Sequence, residues 1–149
     1  MTWQPVAFVH STRTEPVDDG WDLVTSTIEL TEGYGPEALL GLDGFSHLEV
    51  VYHLHLADEP VTLARHPRGN PDWPLTGIFA QRAKDRPNRL GVSTCELLAV
   101  SGTTLTVRGL DAIDGTPVLD VKPVMRGFLP RGDIREPQWA RALMADYWK

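Results

Sequence analysis

Glycine and proline punctuate this 149-residue chain throughout, thirteen of one and twelve of the other, and leave few stretches long enough for an ordinary helix. Both residues mark turns, glycine through its freedom at positive φ and proline through its fixed φ and missing N–H. Short segments between frequent turns are the pattern of an all-β domain, so the fold class expected is mainly β, a small barrel or sandwich. A chain of about 150 residues hides roughly two-thirds of its unfolded surface, which is enough for one core. A single domain over residues 1–149 is therefore expected. The composition, 42% apolar and 23% charged, excludes a disordered tail, a coiled coil and a collagen-like fibre.

Between the turns, Pro5-Val6-Ala7-Phe8-Val9 reads as a strand, and Ile28-Glu29-Leu30 begins or continues another. Residues 47–56 alternate most clearly. Leu48, Val50, Tyr52, Leu54 and Leu56 share one face, and His47, Glu49, Val51, His53 and His55 the other. Residues 91–100 and 103–109 form a hairpin through Ser101-Gly102, and Val118 to Lys122 a further strand. Glu37 to Leu40 suits a turn or two of helix. A C-terminal helix is expected over about 136–148, with Pro137 at its start and Trp139, Ala142, Leu143 and Tyr147 at helical spacing for packing on the barrel.

No apolar run approaches the ~18 residues of a membrane span. The opening Met1-Thr2-Trp3-Gln4-Pro5 lacks the basic and apolar regions of a signal peptide, and one cysteine, Cys95, allows no internal disulfide. A cytoplasmic protein without a membrane partner is the expectation.

The net charge of −6 hides a split. Residues 1–64 carry eleven acids against the single base Arg13, a net −10; residues 65–149 carry thirteen Lys and Arg against nine acids, a net +4. Six of those bases lie between Arg65 and Arg89, where the only acids are Asp72 and Asp85. Such asymmetry points to a polarised surface.

Several chemistries fall away on spacing. His53-x-His55 with Glu59 has the form of half a cupin metal motif, but its flanking glycines are missing and His66 is the last histidine in the chain. No metal is expected. No nucleophile elbow, P-loop or dinucleotide fingerprint occurs, and Cys95 sits inside an apolar strand as a buried structural thiol. What remains is two polar loops. Arg82 to Gly91 packs four bases with a Pro and an Asn, and Gly109 to Pro117 holds two carboxylates and Thr116. Together they supply the groups that would hold a polar, zwitterionic ligand.

Four motifs in order, Gly-Leu-Asp-Gly-Phe-Ser-His-Leu (41–48), Gly-Ile-Phe-Ala-Gln-Arg (77–82), Arg-Pro-Asn-Arg-Leu-Gly-Val-Ser (86–93) and Asp-Gly-Thr-Pro-Val-Leu-Asp-Val-Lys-Pro (114–123), resemble the TsaA-like, TrmO-type S-adenosylmethionine-dependent methyltransferases. The resemblance covers roughly residues 5–125. It implies a compact β-barrel, a homodimer with the cofactor site near the subunit interface, and S-adenosyl-L-methionine as cofactor. The implied activity is N6-methylation of threonylcarbamoyl-adenosine beside the anticodon of certain tRNAs. Carried over by position, the cofactor would meet His55 and Leu56, Arg82, the backbone at Val92, and the turn Ile113-Asp114-Gly115-Thr116. Arg86, Asn88 and Arg89 are then expected on the substrate side. An arginine suits the cofactor's carboxylate, and backbone groups in a glycine turn suit an adenine edge.

The departures concern substrate. The family's Pro-Arg-Gln element after the first strand is replaced by an acidic loop, Glu15 to Asp22. Ala83-Lys84 replaces the usual Ser-Pro, and Arg89 the usual Pro after Asn88. The chain also stops soon after the barrel, without the C-terminal domain of some tRNA-acting members. An acidic loop near the site would repel phosphates, which leaves a small amine-bearing acceptor, or a non-enzymatic cofactor-binding module, beside the tRNA reading. In-line methyl transfer needs chiefly alignment of the two reactants. A base that takes the acceptor's proton would be Asp120, His53 or Tyr52 by residue type, with Lys122 orienting Asp120 or the acceptor.

Overall fold

The computed structural model describes residues 1–149. Its strands are β1 (Ala7–His10), β2 (Thr25–Leu30), β3 (His47–His53), β4 (Ala64–Arg65), β5 (Thr76–Gly77), β6 (Leu90–Ser101), β7 (Thr104–Arg108) and β8 (Pro117–Pro123). Six of them close into an antiparallel barrel in the order β1-β2-β7-β6-β3-β8, and β4 and β5 form a separate two-stranded ribbon. The expected mainly-β barrel is therefore the fold. Single turns of 3-10 helix, including Pro36–Leu39 and Pro87–Arg89, occupy the connections. No helix is long and apolar enough to cross a membrane.

Period-two alternation builds the core. Ala7 and Val9 of β1, Ile28 of β2, Leu48 and Val50 of β3, Leu105 and Val107 of β7 and Val118 of β8 are all fully buried. Burying each large aliphatic side chain contributes roughly 1.5–3 kcal/mol, so these inward positions hold the ring together. The outward positions of β3 pair with the outward positions of β8, Glu49 with Lys122 and Val51 with Asp120. A bulge between Val51 and Tyr52 then brings Tyr52 opposite Val118. The barrel's joint is short: β1 meets β8 only at Ala7–Val118 and Phe8–Pro117, whereas β3 lies along β6 from His47–Glu96 to His53–Leu90.

Two elements are shorter than their patterns suggest. β3 ends at His53, because the Leu54 N–H donates to the Arg89 carbonyl and the His55 N–H turns back to that of His53. Leu54 still packs against the core, but Leu56 is exposed. The C-terminal helix α1 covers only Gln138–Met144, with Pro137 as its N-cap, and buries no residue completely. The expected extent of 136–148 is too long because the chain leaves the helix to lie along the Gly20–Asp22 loop. The N–H groups of Gly20 and Trp21 donate to the Tyr147 carbonyl at 2.8 and 3.1 Å, and that of Asp22 to the Trp148 carbonyl at 3.1 Å.

Candidate functional site

One end of the barrel collects the end of β3, the start of β6, the start of β8 and three chain reversals, residues 54–58, 78–89 and 109–116. Every residue carried over as cofactor-binding lies on these segments.

Arg82 follows the 3-10 turn Ile78–Ala80, and its Nη2 donates to the Val92 carbonyl at 2.7 Å. Arg82 and Val92 are thus adjacent and both exposed, and the guanidinium keeps other N–H groups free. The loop carrying Arg82 is braced from inside. Arg86 Nη1 donates to the Gln81 carbonyl at 2.6 Å, and Gln81 Nε2 donates to the carbonyls of Thr76 and Arg65. Arg86, expected to meet substrate, is spent on this loop's own backbone. Arg89 Nη2 likewise donates to the Glu59 carbonyl at 3.0 Å. Asn88 and Arg89 both have left-handed backbones, with φ of 61° and 49°. Proline, fixed near −65°, cannot take the conformation of Arg89, so the Arg-for-Pro departure and the shape of this turn belong together.

His55 and the Ile113–Thr116 turn form a second group. Gly115 has φ of +79°, and a Cβ there would stand 3.8 Å from His55 Nε2, so the imidazole lies close over the turn. The turn is tied to β1 and the segment after it. The Gly115 N–H donates to the Val9 carbonyl and the Asp114 N–H to that of Arg13, while Asp114 Oδ1 accepts from the Ser11 N–H. Burial, and then the charge of His53, hold His55 below the usual imidazole pKa, so it is neutral at pH 7.

Asp111 is the centre of a hydroxyl–carboxylate cluster that sequence reasoning missed, apart from Tyr52. Asp111 Oδ1 accepts from Ser93 Oγ and from the Tyr52 hydroxyl, and its Oδ2 accepts from the hydroxyl of Tyr147. Tyr52 also lies 3.0 Å from Ser93 Oγ. Burial first, and then the charge of Asp111, push both tyrosines well above the usual phenol pKa. The Arg82 charge acts on both in the opposite sense. Tyr52 is therefore a fixed donor and unsuited to the expected role of base. Asp111 was visible as one of two carboxylates in its loop, but nothing in its spacing singled it out.

The other catalytic candidates lie elsewhere. Asp120 and Lys122 are on the outer wall, where Lys122 Nζ meets Asp120 Oδ2 at 2.8 Å. That pairing raises the pKa of Lys122 and keeps it an ammonium. His53 shares the outward parity of Glu49 and Val51. These three do not join the Tyr52 cluster. The acidic loop is neutralised in part. Arg68 bridges Asp18 at 4.0 Å and Asp19 at 3.0 Å, and Arg13 stacks 4.0 Å over Trp21 while donating to the Gly20 and Asp19 carbonyls.

Residues 11–128 match the family described as the tRNA-methyltransferase O N-terminal domain. A probable S-adenosyl-L-methionine-binding protein of Methanothermobacter thermautotrophicus is 43% identical over 124 residues, covering 80% of this chain and 87% of the relative. The human tRNA (adenine(37)-N6)-methyltransferase is 32% identical over 100 residues, 67% of this chain but 23% of the relative. The crystal structure of TrmO from Pseudomonas aeruginosa superposes with a TM-score of 0.73 at 29% identity, covering 91% of this chain. This chain spans 60% of that one. It belongs to the tRNA-methyltransferase O N-terminal domain family.

Proposed function

We propose that residues 1–149 act as one S-adenosylmethionine-dependent methyltransferase domain that methylates N6 of a tRNA adenosine, the threonylcarbamoyl-adenosine beside the anticodon. The observation that carries this reading is Arg82 seated on the Val92 carbonyl at the same barrel end as His55 and the Ile113–Thr116 turn, in a chain of this family. The donor set fits the cofactor. The free N–H groups of Arg82 suit its carboxylate, the backbone carbonyls of exposed Asp114 and Gly115 suit the adenine amino group, and neutral His55 with Leu56 completes the wall. When bound, S-adenosylmethionine supplies an electrophilic methyl group on a positively charged sulfur.

The chain's own residues hold and align. Asp111, on which three hydroxyls converge, is the carboxylate of the site. Lys84 and Asn88 are exposed and open to an acceptor, and Arg86 and Arg89 shape the loop that carries them. Arg68, bridged to Asp18 and Asp19, offsets part of the acidic loop's charge and so weakens its repulsion of a phosphate-bearing acceptor. Exposed Leu63, Leu75 and Phe79 surround the β4–β5 ribbon beside Arg82, which supports a homodimer there. The unpaired thiol of Cys95 supports a cytoplasmic location.

Isothermal titration of cofactor-stripped protein with S-adenosylmethionine should show saturable binding. Incubation with tritiated cofactor and bulk tRNA should then place label in the tRNA fraction. Label confined to small molecules would overturn the tRNA assignment, and absence of cofactor binding would overturn the whole reading.

A further inference from the structure

The hydroxyl on Asp111 Oδ2 comes from Tyr147, which lies outside the family-matched residues 11–128. Its arrival is built from both sides. Backbone bonds from Gly20, Trp21 and Asp22 hold residues 147–148 in place, and Trp148 packs edge-on to the Tyr147 ring with centroids 4.9 Å apart. Trp21 in the receiving loop is buried and capped by Arg13.

A carboxylate offers about four acceptor positions. Ser93 and Tyr52 occupy Oδ1, and both belong to barrel strands; Tyr147 is the tether on Oδ2. Asp111 precedes the turn Ile113–Thr116 by two residues, so fixing both carboxylate oxygens fixes how that turn leaves the barrel. We propose that Tyr147 is a positioning residue: its hydroxyl holds Asp111, and through Asp111 the Ile113–Thr116 turn, in the conformation that receives the cofactor. This rests on the cofactor reading above.

The test uses the full chain and the variants Tyr147→Phe, Tyr147→Ala and Asp111→Asn. Loss of one hydrogen bond to a charged group should weaken S-adenosylmethionine binding by about tenfold in Tyr147→Phe. KM for the cofactor should rise more than kcat falls. Tyr147→Ala should bind no more than about twofold more weakly than Tyr147→Phe, because the hydroxyl and not the ring carries the effect. Adding Tyr147→Phe to Asp111→Asn should change little. In ligand-free Tyr147→Phe, amide exchange at Ile113–Thr116 should speed up, a readout independent of turnover. Wild-type affinity in Tyr147→Phe, or fully additive losses in the double variant, overturns this proposal alone. Failure of the wild type to bind cofactor overturns the functional reading and this one with it.

Discussion

Gly91 stands directly opposite Tyr52 in the β3–β6 register, and the Tyr52 ring occupies the space where a side chain at 91 would begin. A Cβ on residue 91 would lie 2.4 Å from Tyr52 Cε2 and 2.6 Å from Cζ. The glycine that closes the Arg-Pro-Asn-Arg-Leu-Gly motif thus makes room for the ring that reaches Asp111. Gly91→Ala should cost about 1–3 kcal/mol, as over-packing does. It should lower the midpoint of thermal unfolding by several degrees, and an unchanged midpoint would refute the packing argument.

Arg82 should be irreplaceable by another cation. Lysine carries the charge but cannot hold the Val92 carbonyl and a carboxylate with one planar fork. Arg82→Lys is expected to weaken S-adenosylmethionine binding by about tenfold, and Arg82→Met by more. Calorimetric titration gives the answer directly; wild-type affinity in Arg82→Lys would remove Arg82 from the site.

Glu29 supplies an acid-sensitive bond across β2 and β7. Its carboxylate accepts from Thr104 Oγ1 and from Thr103 Oγ1, and these bonds, with Thr104 the larger, lower its pKa below 4.5 despite an opposing effect of burial. A depressed carboxylate pKa stabilises the fold above the unfolded value and loses that contribution as pH falls through the folded one. Glu29→Gln should therefore flatten the acid limb below pH 4.5 in denaturant titrations at stepped pH. An unaltered acid limb would count against these bonds.

His55 is expected to titrate below 6.5, since burial and the neighbouring His53 disfavour its charged form. The unfolded chain then binds the proton more readily, so stability rises with pH from the folded pKa up to about 6.5 and is lost as pH falls. The imidazole resonance followed by NMR reads this pKa, and a midpoint at or above 6.5 contradicts it.

Cys95 should be inert in the folded protein. Burial, followed by the charge of Asp111, pushes its thiol up to about 12. A chromogenic disulfide reagent at pH 8 should label the protein only after denaturant is added. Fast labelling of the native chain would show that the β6 wall opens readily.

Much of the barrel was legible because its signals are local. The alternation of β1, β3 and β7 marks the inward positions, and Ser101-Gly102 marks the β6–β7 hairpin. The end of β3 was not legible, since residues 54–56 continue the apolar alternation while hydrogen bonds to Arg89 and His53 have already ended the strand. In the site, Arg82 with Val92, and His55 with Gly115, were proposed from motifs and are neighbours in space. Tyr147 on Asp111 was hidden for a different reason: two ordinary residue types 36 positions apart, joined by a tail that runs back along another loop. Asp120 and Lys122 attracted notice by residue type, but the bulge between them and buried Val118 reverses the parity of β8 and turns both outward.

The short joint between β1 and β8 has a mechanical consequence. A closed ring opens where its staples are fewest, and here one partner is Pro117, which brings no N–H to the ladder. That joint lies immediately after the Ile113–Thr116 turn, whose own bonds to Val9 and Arg13 span the same gap. The β1–β8 joint beside the Ile113–Thr116 turn is thus the most weakly paired part of the ring. On the cofactor reading proposed above, a molecule held between that turn and His55 would act as a clasp on the hoop, and its binding would tighten the barrel itself.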